Sequence, residues 1–462
     1  MKRGYILLFL LSVYALIVGA AFAVPSDGLD IGPVSLSAPS PADLKAIFIK
    51  EEKAPEGPSP EELLQQRLAE IHQAEKSTFD KYIKENPARI IFPSDNVTLL
   101  DPFFKSLDSA RTRPVRILHY GDSQIEEDRI SSTLRTGLQA RFGGGGPGLL
   151  PFGRPYYTQG FSQTSTATLH RALVFGEGTR RSGGKYGVMG QLARIDTSVF
   201  TTVSAVKGNK GPSRRFNRLT LLAGNVGTLN VKCGARQYKL GPVKNDSGVG
   251  RIVIPLPDST NVRFNTWGSA DIYGFQLDDS LGVSLDNIPM RGCSGTVFTN
   301  ISSAQLKEYI RSDNVRMIIL QFGGNSMPYR KTAKSISEYK TSLQKQIRHL
   351  KGIAPDAFIL FIGPSDMSTS VKGKMQTYPH LPMMVDSLKA AALECGAAYW
   401  DMYQAMGGEN SMVQWVKARP QLAGSDYVHF TPRGAEAVGN MLLESMMLYY
   451  DYYLWRNGRK SE

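Results

Sequence analysis

Two kinds of hydrophobic pattern divide this chain. After residue 114, and again after residue 314, short apolar runs alternate with longer segments in which apolar residues recur at helical spacing. The apolar runs are typical of strands buried on both faces, and they lie at 115–120, 315–320, 357–362 and 397–400. Alternating strands and helices of this kind predict an α/β fold with a parallel sheet and helices on both faces.

The segment between these two parts has a different pattern. From 155 to 284, short strand-like runs are separated by Gly, Asn and Pro, as at 218–222, 227–231, 251–254 and 261–264. This pattern predicts an all-β insertion, arranged as a sandwich. The α/β domain is therefore expected in two pieces, 91–154 and 285–462, with the β-sandwich at 155–284 between them.

The start of the chain resembles an export signal. Lys2 and Arg3 precede a charge-free run at 5–23, and Ala21-Phe22-Ala23 is a small-x-small cleavage site. Residues 1–23 are therefore predicted to be a signal peptide. Because the apolar run is 19 residues long, membrane attachment through residues 5–23 is the alternative.

A linker and a spacer helix are predicted over residues 24–90. Residues 24–58 are rich in Pro, Ser and Gly without a sustained period, as in a tether. Ser59 then has the character of a helix N-cap, and apolar residues recur at helical spacing towards Asn86.

Composition and charge narrow the classes of function. The 462 residues are 42% hydrophobic and 21% charged, which is typical of a globular protein of two or three domains. The net charge of +13 favours an anionic partner. Because export removes the chain from cytosolic nucleic acid, we expect an envelope polymer in the periplasm or cell envelope instead. Three scattered cysteines exclude a disulfide scaffold or a zinc knuckle.

A serine and a histidine–carboxylate pair carry the candidate chemistry. Gly121-Asp122-Ser123 follows a predicted buried strand, where α/β sheets place ligands, and Asp426 and His429 lie three residues apart near the C-terminus. A serine hydroxyl becomes nucleophilic when a base removes its proton, and the base needs an acid that orients it. Two glycine-rich segments, 291–296 and 322–325, offer donors for an oxyanion.

In these blocks the sequence resembles the SGNH or GDSL hydrolases over about 115–150 and 285–450. Gly121-Asp122-Ser123, Ser294-Gly295, Gly323-Gly324-Asn325 and Asp426-x-x-His429 match the four family blocks in order. The resemblance implies a flavodoxin-like sheet and no metal or other cofactor. It implies Ser123 as nucleophile, His429 as base and Asp426 as orienter, and it implies three oxyanion donors: the N–H groups of Ser123 and Gly295 and the side chain of Asn325.

Two positions depart from the family pattern. Gln124 replaces the leucine of the name-giving motif, and Ser326 replaces the aspartate often found after the asparagine. These departures affect the assignment to a subgroup of the family more than the mechanism that the resemblance implies.

Several other residues admit structural interpretations. His119 is predicted to form hydrogen bonds in the core, and Glu126, Glu127 and Asp128 to suit a helix N-terminus. The glycine run at 143–148 is interpreted as a flexible exit into the insertion. A basic run without acidic residues is either a solvated loop or a grip on an anionic glycan, and it comprises Lys207, Lys210, Arg214, Arg215 and Arg218.

These features together predict an exported serine esterase that removes an acyl group, most simply acetyl, from an envelope polysaccharide such as peptidoglycan. The resemblance extends to O-acetylesterases that carry a β insertion. An O-acyltransferase would use the same site, so the sequence leaves that alternative open. A glycan-binding protein on an inactive SGNH fold is the alternative from another functional class.

Overall fold

The computed structural model describes residues 3–25, 83–153, 156–176 and 180–459, together with residue 81 and short stretches between 29 and 45. The chain separates into two compact units, residues 1–73 and 74–462. Most of the spacer helix predicted from Ser59 to Asn86 lies outside the described residues. Within that range, the described residues 83–85 are helical.

The first unit contains a helix and a small hairpin. Helix α1 spans Arg3–Ala23, so the predicted signal segment is helical. Strands β1 (Leu29–Ile31) and β2 (Val34–Leu36) pair antiparallel. Within the part of the chain that the structure describes, no helix is both long and apolar enough to cross a membrane.

The other elements named here lie in the second unit. Its strands are β3 (Ile90–Ile91), β4 (Val115–Gly121), β5 (Gly148–Leu150), β6 (Phe161–Ser165), β7 (His170–Leu173), β8 (Gln191–Ile195), β9 (Val199–Ala205), β10 (Phe216–Cys233), β11 (Arg236–Leu240), β12 (Gly250–Ser259), β13 (Asn261–Asp278), β14 (Val283–Pro289), β15 (Val315–Gln321), β16 (Phe358–Ile362), β17 (Ser368–Val371), β18 (Lys374–Thr377) and β19 (Ala398–Trp400). Its α-helices are α2 (Asp101–Asp108), α3 (Arg129–Phe142), α4 (Ser303–Ser312), α5 (Ala333–Ile353), α6 (Leu381–Glu394), α7 (Met402–Ala405), α8 (Ser411–Lys417) and α9 (Pro432–Arg456). Short 3-10 turns include Glu126–Asp128 and Gly324–Tyr329.

A six-stranded sheet forms the α/β part, in the order β14-β4-β15-β16-β19-β3. The first five strands are parallel, and β3 pairs antiparallel to β19. Every residue of β4 and β14 is buried, as expected for strands covered on both faces. On one face, Leu343 of α5 and Leu388 of α6 share a core with Phe361 of β16. Helix α3 packs against α9 and against strand β14.

The insertion forms a nine-stranded antiparallel sheet around its own core. Strands β10 and β13 are each 18 residues long, and they pair along most of their length. A register shift between Gly224 and Thr228 explains why β10 looks like two strands in the sequence. The predicted α/β class, with a parallel sheet and an inserted β domain, is confirmed.

The glycine run at 143–148 is not the flexible exit that the sequence predicts. Residues 145–148 are buried, and a side chain at Gly144, which has a φ of +105°, would lie 2.4 Å from the Val283 carbonyl oxygen. Glycine is needed here because the backbone approaches β14 closely and adopts a left-handed conformation. The segment is therefore a packed junction between the two sheets.

A buried ion network joins the insertion to the parallel sheet. Arg116 of β4 contacts Asp278 at the end of β13, and its Nη1 lies 2.6 Å from Asp286 Oδ1 of β14. Asp313, after α4, pairs with Arg251 of β12 at 2.5 Å. Because these charges are buried, each needs its partner for the fold to be stable.

Candidate active site

The elements around Ser123 place it at the carboxyl edge of the parallel sheet. Strand β4 ends at Gly121, where an added Cβ would lie 2.9 Å from the Ile125 side chain. The chain therefore turns sharply here and presents Ser123 at the edge where α/β sheets bind ligands. Asp426 and His429 lie in the loop before α9, which is closed by a β-bridge between Ala423 and Phe430.

The structure brings Ser123, His429 and Asp426 together in one hydrogen-bonded series. Ser123 Oγ lies 2.8 Å from His429 Nε2, and His429 Nδ1 lies 2.7 Å from Asp426 Oδ2. Asp426 Oδ1 accepts hydrogen bonds of 3.0 Å from the backbone N–H groups of Val428 and His429. The carboxylate is thus held against the imidazole by its own loop.

Hydrogen bonding keeps Asp426 ionised. Partial burial alone would raise the pKa of Asp426, but the hydrogen bonds from the His429 side chain and from two backbone N–H groups lower that pKa below its ordinary value. An ionised Asp426 fixes the Nδ1–H tautomer of the imidazole and leaves Nε2 as an acceptor for the serine proton.

The three predicted oxyanion donors lie on two loops and the serine turn. Gly295 has a φ of +76°, and its N–H donates to the buried Cys293 sulfur at 3.3 Å. Asn325 Nδ2 donates to Asp122 Oδ2 at 3.0 Å and to the Cys293 carbonyl at 3.3 Å. The loops of Gly295 and Asn325 therefore meet beside Asp122, next to the serine.

Asp122 is a buried carboxyl group in this network. Its Oδ1 accepts from the Gln124 N–H at 3.0 Å while Oδ2 accepts from Asn325. Burial raises the pKa of Asp122 to about 6, although the hydrogen bond from Gln124, the nearby His429 and the bond from Asn325 oppose the increase. Asp122 therefore positions Asn325 from inside the protein.

Two positioning residues were not identified from the sequence as part of the site. Gln124 Nε2 donates to the Val428 carbonyl at 2.6 Å, and its Oε1 accepts from the Phe430 N–H at 3.4 Å. Arg129 donates to the carbonyls of Ser123 at 2.9 Å and Phe430 at 3.1 Å. The only sequence signal for Gln124 was its departure from the leucine of the family motif, and Arg129 gave none.

A small cavity opens beside the serine. It has a volume of 230 Å³ and is lined by Ser123, His429 and Asn325 together with apolar side chains such as Met367 and Met402. The volume suits a small acyl group with part of a larger alcohol outside the cavity.

None of the five residues of the basic run lines this cavity. Arg215 pairs with Asp258 at 2.5 Å. Arg218 pairs with the buried Asp278 at 2.9 Å, so it serves the junction between the two sheets. The three remaining residues of the run also lie outside the lining of the cavity, and they are Lys207, Lys210 and Arg214.

His119 and the acidic turn after Ser123 have structural partners. His119 is fully buried, with Nε2 at 3.1 Å from Gln321 Oε1 and Nδ1 at 2.9 Å from Ser131 Oγ, and burial lowers its pKa to about 4. Asp128 pairs with Arg135 at 2.6 Å, and Glu126 pairs with Arg291. His119 is therefore the core histidine that the sequence predicted.

The cysteines and the arrangement of possible metal ligands complete the description of the described residues. All three cysteines are free, and burial raises the pKa of Cys293 to about 11, which keeps its sulfur protonated. No group of three or more His, Cys, Asp or Glu side chains in the described part of the chain is arranged to hold a metal ion.

Comparison with solved structures shows what this fold resembles. A structure described as a peptidoglycan O-acetylesterase in action matches 75% of this chain and 95% of its own chain, with 20% identity and a TM-score of 0.60. An acetylxylan esterase from Geobacillus stearothermophilus matches 36% of this chain and 73% of its own, with 16% identity and a TM-score of 0.27. A salicylyl-acyltransferase from a tetracycline biosynthetic pathway matches 63% and 98%, with 11% identity and a TM-score of 0.28. The first match establishes the shared fold, and the other two are too distant to support an argument.

Comparison with sequences finds one similar family over part of the chain. No curated protein sequence matches this chain. Residues 258–437 match the model of the GDSL-like lipase/acylhydrolase family, and this range contains Gly295, Asn325, Asp426 and His429. Residues 258–437 are therefore similar to a GDSL-like lipase/acylhydrolase domain, in a chain that shares the fold of the first structure above.

Proposed function

We propose that this protein is an exported esterase that hydrolyses acetyl esters on a cell-envelope polysaccharide, through an acyl-enzyme on Ser123. The contact between Ser123 Oγ and His429 Nε2 carries the proposal, because it joins the nucleophile to its base at 2.8 Å. The predicted export signal and the similarity to a peptidoglycan O-acetylesterase support the choice of an envelope polymer.

Each half of the reaction uses the same histidine. His429 Nε2 takes the Ser123 proton as Oγ attacks the acetyl carbonyl carbon, and it then gives that proton to the departing sugar oxygen. His429 next removes a proton from water, which attacks the acetyl-serine ester. Acetic acid leaves, and Ser123 regains its proton. Asp426 orients the imidazole and stabilises its charged form in both halves.

The carbonyl oxygen becomes negatively charged in each tetrahedral intermediate. The N–H groups of Ser123 and Gly295 and the Asn325 amide are the proposed donors to this oxyanion. The present partner of the Gly295 N–H is a sulfur, which is a weak acceptor, so exchange for an oxyanion is favourable. Asp122 holds one hydrogen of the Asn325 amide, and the other exchanges its longer bond to the Cys293 carbonyl for the oxyanion.

Acetate release from O-acetylated peptidoglycan tests this function. We expect Ser123→Ala to lower kcat by at least about 10³-fold and Asp426→Asn by about 10²–10⁴-fold. Ser198→Ala, which removes an exposed hydroxyl in the insertion, is the matched control and should keep the wild-type rate. Full activity in Ser123→Ala would overturn the proposal.

Two further measurements separate the alternatives. Addition of an unacetylated acceptor glycan should leave free acetate as the main product, whereas a dominant transfer product would assign the protein as an acyltransferase. A fluorophosphonate should label the wild type and not Ser123→Ala. Failure to label the folded wild type would favour a glycan-binding protein without catalysis.

A further inference from the structure

A second cavity lies beside the active-site loops, on the side of the β insertion. Its volume is 290 Å³, and its lining includes Tyr156, Arg171 and Gln191 from the insertion and Glu126 and Arg291 from the α/β part. The insertion and the hydrolase domain therefore build this cavity together.

Arg171 lacks a carboxylate partner among the described residues. Its Nη1 donates to the Gly153 carbonyl at 3.1 Å and its Nη2 to Gln191 Oε1. A guanidinium has five N–H donors, so these two contacts leave three for a ligand. Burial lowers the pKa of Arg171, and the neighbouring Tyr156 partly opposes that effect. A half-buried cation without a counter-ion is stabilised when an anion binds beside it.

The other charges around this cavity are already paired. Arg291 Nε lies 2.9 Å from Glu126 Oε2, and among the described residues no other charged side chain lines the cavity besides Arg171. Among the described lining residues, the two arginines and one glutamate sum to +1, and the excess charge belongs to Arg171. This part of the cavity therefore favours a negatively charged ligand group.

One loop connects this cavity to the reaction site. Met290 and Arg291 line the cavity, and the same loop continues to Cys293, whose carbonyl accepts from Asn325 Nδ2 at 3.3 Å. On the other wall, the Glu126 N–H donates to the Ser123 carbonyl at 3.3 Å. The loop at 290–293 and the turn at 123–126 therefore border both the cavity and the reaction site.

We infer that the cavity around Arg171 is a subsite for a carboxylate carried by the acetylated sugar. A guanidinium fork fits a carboxylate with two parallel hydrogen bonds, and Tyr156 offers a phenol beside it. This inference rests on the proposed function and deepens it, because it defines the substrate as an anionic glycan. It also assigns anion recognition to Arg171 instead of the basic run at Lys207–Arg218.

A pair of synthetic sugars tests the subsite. One carries an acetyl ester and a carboxylate, and the other has the carboxylate converted to a neutral amide. We expect the wild type to prefer the carboxylate in kcat/KM by about 10-fold or more, and Arg171→Gln to lose most of that preference. Arg263→Gln removes an exposed arginine of the same β domain and should keep the preference. Arg171→Lys retains the charge, so it should recover part of the preference.

Binding measurements separate this inference from the proposed function. Calorimetric titration of the wild type with the two sugars after removal of their acetyl groups does not depend on turnover. The amide sugar should bind more weakly than the carboxylate sugar. Binding that depends on Arg171 without any ester hydrolysis would support the subsite and reject the esterase. Hydrolysis of both esters with equal kcat/KM would overturn the subsite and leave the esterase intact. Loss of the preference in Arg214→Gln, with Arg171→Gln unaffected, would overturn the subsite in favour of the basic run.

Discussion

The side chain of Gln124 is hydrogen-bonded to the Val428 carbonyl at 2.6 Å. It thus connects the residue after the nucleophile to the residue before the general base. Its other end accepts from the Phe430 N–H, so the two contacts flank His429. The distance between serine and histidine therefore depends on Gln124 as well as on the two loops themselves.

Replacement of Gln124 by leucine, the residue of the family motif, tests this relationship. We expect Gln124→Leu to lower kcat by about 10-fold on a small acetyl ester with a smaller change in KM, because His429 loses its alignment with Ser123. Steady-state kinetics well below the unfolding temperature measure the effect. Gln237→Leu, on an exposed position of β11, is the control. Wild-type kcat in Gln124→Leu would show that the loop holds His429 without this side chain.

The buried Asp122 makes stability depend on pH. Burial raises its pKa to about 6 in the folded state, whereas an unfolded aspartate has a pKa of about 3.9. The folded state therefore holds this proton more tightly, and the contribution of Asp122 to stability decreases as pH rises from about 4 through about 6. Between pH 5 and 7.5 the loss is about 1 kcal/mol.

Urea unfolding at these two pH values measures that contribution. The wild type should lose about 1 kcal/mol more of its free energy of unfolding than Asp122→Asn does over this interval. Asp246→Asn removes an exposed carboxylate and should follow the wild type. Identical pH dependence in the wild type and Asp122→Asn would contradict the burial argument.

Gly295 has a left-handed backbone in a crowded place. An added Cβ would lie 2.7 Å from the Phe322 ring, so Gly295→Ala should lower the free energy of unfolding by about 1–3 kcal/mol. We also expect a lower kcat, because the loop that carries the proposed oxyanion donor must move. Gly352→Ala, near the end of α5 with no atom within 4 Å, should be neutral or stabilising by up to about 1 kcal/mol. Equal unfolding free energies for the two alanine variants would contradict this account.

Sequence patterns were most informative where one element is buried on both faces. The strands at 115–121 and 315–321 are recognisable because most of their residues are apolar. The site blocks were recognisable because each follows such a strand or matches a family motif. Strands β6 to β9 in the insertion are not evident from the sequence. They contain many polar and small residues, and it is their pairing with other strands of the insertion that makes them strands.

Contacts between residues far apart in the sequence explain why the other residues around the site could not be predicted. Arg129 contacts a carbonyl 301 positions away, and Gln124 one 304 positions away, so neither pairing leaves a local signature. Arg171 also lacks a local signature, because its cavity forms only when the insertion packs against the loop at 290–291. Positions that support a site from a distance are therefore visible only in three dimensions.

The ion network around Arg116 limits how this architecture can be engineered. The arginine precedes the insertion in the chain, while Asp278 is the last residue of β13. Excision of residues 155–284, or a graft of a foreign module in their place, would remove Asp278 from Arg116 and also remove Arg251 from Asp313. A successful chimera must therefore rebalance the charges around Arg116 and Asp313 together with the graft, so the smallest exchangeable part of this protein includes residues outside the insertion.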